Sequence, residues 1–146
     1  MKHSAFSALL IIATSSCFVC GVAGAATTLK GAAILDNPCG KVAVKQMGLL
    51  HGGKFDEANK LSTKEMQAQW AAMPAKDRAM MSAMSKEMSQ TEAEYAAEIK
   101  ANGTLVIDGT SAKLTVQKTI KDANGTSTST TTQAFQLNGS ECLVSR

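Results

Sequence analysis

Chemistry-bearing residues are scarce in this chain. Histidine and proline each occur twice in 146 residues. No phosphate-cradling glycine loop, zinc-ligand spacing or nucleophile elbow is present. The net charge is only +3, and acidic and basic residues interleave, so no basic block with aromatics between its charges exists. That removes the footprint of a nucleic-acid binder. Beyond the first 25 residues no apolar run is long enough to span a bilayer. These absences point away from an enzyme and toward a protein that acts by binding, with no cofactor and no metal ion.

What is present begins with a leader. Lys2 and His3 precede an apolar run over 5–13, and Ala23-Gly24-Ala25 is a small-residue cleavage signal. Residues 1–25 read as a bacterial signal peptide. That leaves 26–146 as a single α+β domain, periplasmic or secreted. A lipid anchor at Cys17 is the alternative, although Thr14 stands where such sites normally take Leu. Cys17-x-x-Cys20 has redox spacing but lies inside the leader. Two cysteines then remain, Cys39 and Cys142, and in an oxidising compartment a lone pair is expected to be a disulfide.

The stretch 102–146 organises the rest. Asp108-Gly109, Asn124-Gly125 and Asn138-Gly139 each separate runs that suit β-strands. Taken as two-residue type I′ turns, they predict a four-stranded antiparallel meander. In that frame Leu105 faces Ala112, Leu114 faces Phe135, and Phe135 faces Cys142. Leu105, Ile107, Ala112, Leu114, Val116, Phe135, Leu137, Cys142 and Val144 then share one face. Lys113, Thr115, Gln117, Thr119, Lys121, Thr132 and Gln136 share the other. Asn102-Gly103-Thr104, Asn124-Gly125-Thr126 and Asn138-Gly139-Ser140 also match the glycosylation acceptor pattern. Turn and cap chemistry explains the Asn-Gly order, which glycosylation does not require. The Ser/Thr run 126–132 has little to bury and is expected to be exposed.

The preceding segment reads as helices packed on one sheet face. The run Ala32-Ala33-Ile34-Leu35 suits a short strand or an extended lead-in. Asn37 and Pro38 form an N-cap and first helical position, with Cys39, Ala43, Met47 and Leu50 on one face and Gly52-Gly53 ending the helix. Cys39 on that apolar stripe can meet Cys142, which the meander aims at the same side. A short helical piece follows over 55–61. Ser62-Thr63-Lys64-Glu65 is a capping-box pattern, which predicts a helix burying Met66, Trp70 and Met73. Pro74 opens a last helix running toward Asn102, with Met81, Met84, Met88, Tyr95 and Ile99 at helical spacing.

Three groups invite a functional reading. Met80, Met84 and Met88 recur every four residues, and thioethers bind Cu(I). With one histidine after the leader and no second soft-ligand cluster, adaptable packing or a partner surface that includes Met73 accounts for them better. His51 ends the first helix, where a positive side chain suits the helix dipole. As a general base it has no nucleophile or acid placed near it by any motif. Asp56-Glu57 is a carboxylate pair, but adjacent residues point to different helix faces.

The order of helices then meander, the Gly53-Lys54-Phe55-Asp56-Glu57-Ala58 segment and the closing Phe135-Gln136-Leu137-Asn138-Gly139 hairpin together resemble a known family. They are similar to the small exported bacterial domains called lumazine-binding-like, within the nuclear-transport-factor-2-like, cystatin-like superfamily. The resemblance covers residues 39–146 and implies a cone: a curved sheet wrapped on helices, often enclosing a pocket. It carries over no catalytic residue. The expected function is that of a non-catalytic exported protein acting through a protein partner, of which an immunity-type inhibitor is one form. A carrier of a small apolar ligand held between sheet and helices is the alternative.

Overall fold

In a computed structural model of the chain, residues 25–122 and 125–146 are described. The expected leader with Cys17 and Cys20, and Asn124 of the central turn, lie outside them. The elements run β1 (Thr27–Lys30), α1 (Ala32–Asp36), α2 (Pro38–His51), α3 (Phe55–Asn59), α4 (Lys64–Ala72), α5 (Ala75–Met88), α6 (Glu92–Asn102), β2 (Gly103–Asp108), β3 (Ser111–Asp122), β4 (Gly125–Asn138) and β5 (Glu141–Ser145). The architecture is α+β, with an antiparallel sheet in the order β1-β2-β3-β4-β5.

The sheet has five strands, not four. Thr27–Lys30 pairs with β2, and Leu29 lies opposite Leu105. Gly31, at φ 60°, turns the chain out of the strand. The following Ala32-Ala33-Ile34-Leu35 is therefore helical rather than extended, and Ile34 drops fully buried into the core.

All three expected turns exist, but each pairing frame is shifted by two residues. Asp108 pairs with Ser111 and Asn138 with Glu141, so the two loop residues are Gly109-Thr110 and Gly139-Ser140. Gly109 and Gly139 have φ 56° and 62°, and among the described residues no non-glycine has positive φ. One positive φ at the first central position is the signature of a type II′ turn, not type I′. The central hairpin pairs Asp122 with Gly125, a shift of two in the opposite direction, so Gly125 belongs to the strand. Leu105 thus faces Leu114, Ala112 faces Phe135, and Leu137 faces Cys142. Side chains alternate with a period of two, so a shift of two leaves every residue on its face. Leu105, Ala112, Leu114, Val116, Phe135, Cys142 and Val144 are all buried, with Ile107 and Leu137 packed against them.

Across from this face sit Ile34 of α1, Cys39 and Ala43 of α2, and Tyr95 and Ile99 of α6. Asn37 caps α2 by accepting from the Cys39 N–H at 2.9 Å, with Pro38 in the first turn. Cys39 and Cys142 form a disulfide with Cα atoms 5.1 Å apart, tying the start of α2 to β5. No described helix is long and apolar enough to cross a membrane.

Two helix boundaries differ from expectation. Ser62-Thr63-Lys64-Glu65 makes no side-chain cap. The backbone there bonds to β5 instead: Thr63 N–H donates to the Val144 carbonyl at 2.9 Å, and Val144 N–H to that of Leu61 at 2.9 Å. The link into α4 therefore closes the outer edge of the sheet. The long helix expected after Pro74 is broken at residues 89–91. Ser89 is extended, its hydroxyl bonds back to the Ser85 carbonyl, and Thr91 starts α6 with a complete capping box to Glu94.

This box makes the start of α6 acid-sensitive. The Thr91 hydroxyl, and then its backbone N–H, hold the Glu94 carboxyl below its ordinary value. A carboxylate whose folded-state pKa is depressed stabilises above its unfolded pKa, and that stabilisation is lost as pH falls through the folded value. Thr91→Ala removes both the cap and the hydroxyl donor to Glu94 and is expected to destabilise the fold at pH 7. Urea titrations at neutral and at acid pH should show the gap between wild type and variant narrowing as Glu94 protonates, the cap bond to the Glu94 N–H remaining. A gap independent of pH would contradict the coupling.

Candidate functional site

Two helices contribute nothing to the core. No residue of α4 or α5 is buried. Pro74 sets the corner between them and starts α5 at a position where its missing N–H costs no helical bond. Along α5, successive residues advance by about 100°. That places Arg78, Ser82 and Ser85 on the side turned toward the protein, where they are half-buried. Lys76, Met80, Ala83, Met84 and Glu87 fall on the opposite side and are exposed.

Met80 and Met84 therefore face outward, and Met81 and Met88 lie exposed on the flank. Met80 is 58%, Met81 40%, Met84 53% and Met88 80% exposed. The expectation that Met81, Met84, Met88, Tyr95 and Ile99 follow one another along a single helix is overturned. The break at 89–91 redirects the chain, so only Tyr95 and Ile99 reach the core. Met73 is half-buried at the elbow before Pro74. Met66 and Trp70 are likewise half-buried rather than core.

The inner side of the α4–α5 arm is fixed by aromatic and polar contacts. Trp70 stacks on Phe55 with ring centroids 4.1 Å apart, and its Nε1–H donates to Asp56 Oδ1 at 2.9 Å. Asp56 thus serves as an acceptor for the indole. Arg78 lines the same cleft of ≈ 330 Å³. His51, exposed at the end of α2, has Nδ1 3.0 Å from the Ser89 carbonyl, so its ring N–H donates to the junction from which α5 departs. That bond ties the end of α2 to the end of α5.

A second cleft, of ≈ 290 Å³, lies between the helices and the sheet. Met47, Met88, Tyr95 and Val116 supply its apolar wall, with Glu98 and Lys118 at its margin. Those two charges stand 3.7 Å apart. Burial, and then the Glu98 carboxylate, push the Tyr95 phenol above its ordinary pKa, so it stays neutral at physiological pH. Among the described residues no group of three or more His, Cys, Asp or Glu side chains could hold a metal ion.

Reasoning from sequence located Met80, Met84 and Met88 on one helix face but missed Phe55, Asp56 and Arg78 as the arm's support. The only signal for them was an aromatic and an acid at the start of α3, with a basic residue one turn into α5. Compared with family models, curated proteins and solved structures, the chain matches none.

Proposed function

We propose that this is an exported, non-catalytic binding protein that acts through a protein partner, and that the outer face of α5 is where the partner docks. The observation that carries this is the exposure of Met80 and Met84, 58% and 53%, on the outer side of α5, an arm with no buried residue. Flexible thioether side chains adapt to a partner's contours, and surfaces built from them suit recognition rather than catalysis. Export is supported by the leader-like start of the chain and by a disulfide, which persists in oxidising compartments. Six helices on a five-stranded antiparallel sheet are compatible with the lumazine-binding-like, nuclear-transport-factor-2-like reading. An immunity-type inhibitor is one form such a protein takes.

The test is affinity capture from a bacterial periplasmic extract with two baits, wild type and Met80→Lys/Met84→Lys. Both positions are exposed, so the two baits should melt at the same temperature. Wild type is expected to retain a protein that the variant binds at least tenfold more weakly, since central apolar anchors dominate interface energies. Equal capture by both baits would remove α5 as the docking face. The apolar wall of Met47, Met88, Tyr95 and Val116 supports a second reading, a carrier of a small apolar ligand. Fluorescent fatty-acid or lumazine-type probes that show no saturable binding would dispose of it.

A further inference from the structure

We infer that the outer face of α5 is self-complementary and pairs antiparallel with α5 of a second copy of this chain. This rests on the partner-surface reading above and names the partner. Within α5, Lys76, Met80, Ala83 and Glu87 succeed one another at intervals of four, three and four. That alternation is the seam of a helix pair. Lys76, Met80, Ala83 and Glu87 are all exposed, so the seam is open.

A two-fold axis passing midway between Met81 and Ser82 brings the seam onto itself. Met80 then lies opposite Ala83 of the second copy, and Ala83 opposite its Met80. Lys76 lies opposite Glu87, and Glu87 opposite Lys76. Each large side chain meets a small one, and each cation meets an anion. A parallel pair would set Lys76 against Lys76 and Glu87 against Glu87. An antiparallel pair centred one residue earlier in the seam, on Met80, would place the Lys76 ammonium on the Met84 thioether. Neither alternative offers compensation for a desolvated charge. A membrane surface is a poorer occupant, because amphipathic surface helices carry excess basic charge on the polar flank. Here Lys76, Asp77, Lys86 and Glu87 cancel.

The contact is small. Fourteen helical residues span about 21 Å at 1.5 Å each. One such face buries less than the roughly 800 Å² per partner of a standard stable interface. The dimer is accordingly weak and reversible.

Sedimentation velocity of the purified protein over a hundredfold concentration range tests this. Wild type should shift from monomer to dimer as concentration rises. Lys76→Glu and Glu87→Lys each create two like-charge contacts per dimer and should weaken association about tenfold or more. The double variant K76E/E87K restores both pairs and should recover wild-type association. Far-UV circular dichroism of all four proteins should coincide, because the sites are exposed. A wild type that stays monomeric at the highest concentration overturns the inference. So does a double variant that associates no better than the single ones. If wild type stays monomeric yet still captures a foreign protein through Met80 and Met84, the docking face stands and only the identity of the partner falls.

Discussion

Replacing Cys39 and Cys142 together by alanine is expected to lower stability by about 4–5 kcal/mol. The bond joins residues 103 apart in sequence, so it closes most of the domain into one loop. Cross-linking a loop of about 100 residues removes unfolded-chain entropy worth about 4.7 kcal/mol at 25 °C in the chain-entropy model. The native state should change little, because α2 still packs Ala43 against the sheet and Asn37 still caps it. Alanine is the better replacement, since serine would bury two hydroxyls among Ile34, Leu114 and Phe135. The melting temperature should fall by about 15 °C or more. Reductant added to wild type should give the same fall, and the slope of the urea transition should steepen as the unfolded chain expands. A loss below 1 kcal/mol in the double variant would mean that the unfolded chain is already constrained by something other than this link. Because α2 also carries His51 to the Ser89 carbonyl at the base of α5, loosening α2 should raise hydrogen exchange at residues 89–91 as well.

That bond was legible in the sequence even though the strand pairing was not. Asn-Gly and Asp-Gly mark a reversal but do not say whether glycine is the first or the second central residue. Here the acidic or amide residue ends the strand and glycine takes the first place, as at Gly109 and Gly139. The resulting shift of two moves Cys142 from opposite Phe135 to opposite Leu137, yet keeps its sulfur on the core side. β1 escaped notice for a different reason. Its partner β2 lies beyond all six helices, and a four-residue segment with one inward side chain, Leu29, leaves almost no periodic trace. The methionines show a third limit. Helical spacing says which residues share a face but not which way the face points. Arg78 and Ser82 turn inward toward Phe55 and Trp70 while Met80 and Met84 face out, because α3 and α4 hold an aromatic stack and an acceptor that the arm's polar side can cover. The break at 89–91 was readable: Thr91-x-x-Glu94 has the same capping signature as Ser62-x-x-Glu65. Only the first of these meets a free helix start, since Ser62 and Thr63 are committed to the edge of β5.

Two glycines of α2 should respond in opposite directions to the same substitution. In an exposed helix, glycine to alanine gains about 1 kcal/mol. At Gly40 a Cβ would fall within the van der Waals envelope of the Ile34 carbonyl, 2.7 Å from its carbon and 3.1 Å from Cγ2. Ile34 cannot retreat, because its side chain is fully buried and its carbonyl accepts the Asn37 N–H at 3.1 Å. Relief requires α1 to swing away from α2, opening the core next to the disulfide. Overpacking costs about 1–3 kcal/mol, and a clash with fixed backbone lies at the upper end, which exceeds the propensity gain. Gly40→Ala should therefore destabilise by about 3 kcal/mol in urea titration. At Gly48 the nearest atoms to the new methyl belong to the Glu92 side chain, Cγ first, so this exposed residue must change its χ1 rotamer to make room. Gly48→Ala should be neutral or stabilising by up to about 1 kcal/mol. The pair separates local helix preference from tertiary fit within one helix. If both substitutions stabilise, α1 does not lie against α2 as closely as the corner at Asn37-Pro38 requires, and Ile34 would lose its place at the centre of the core.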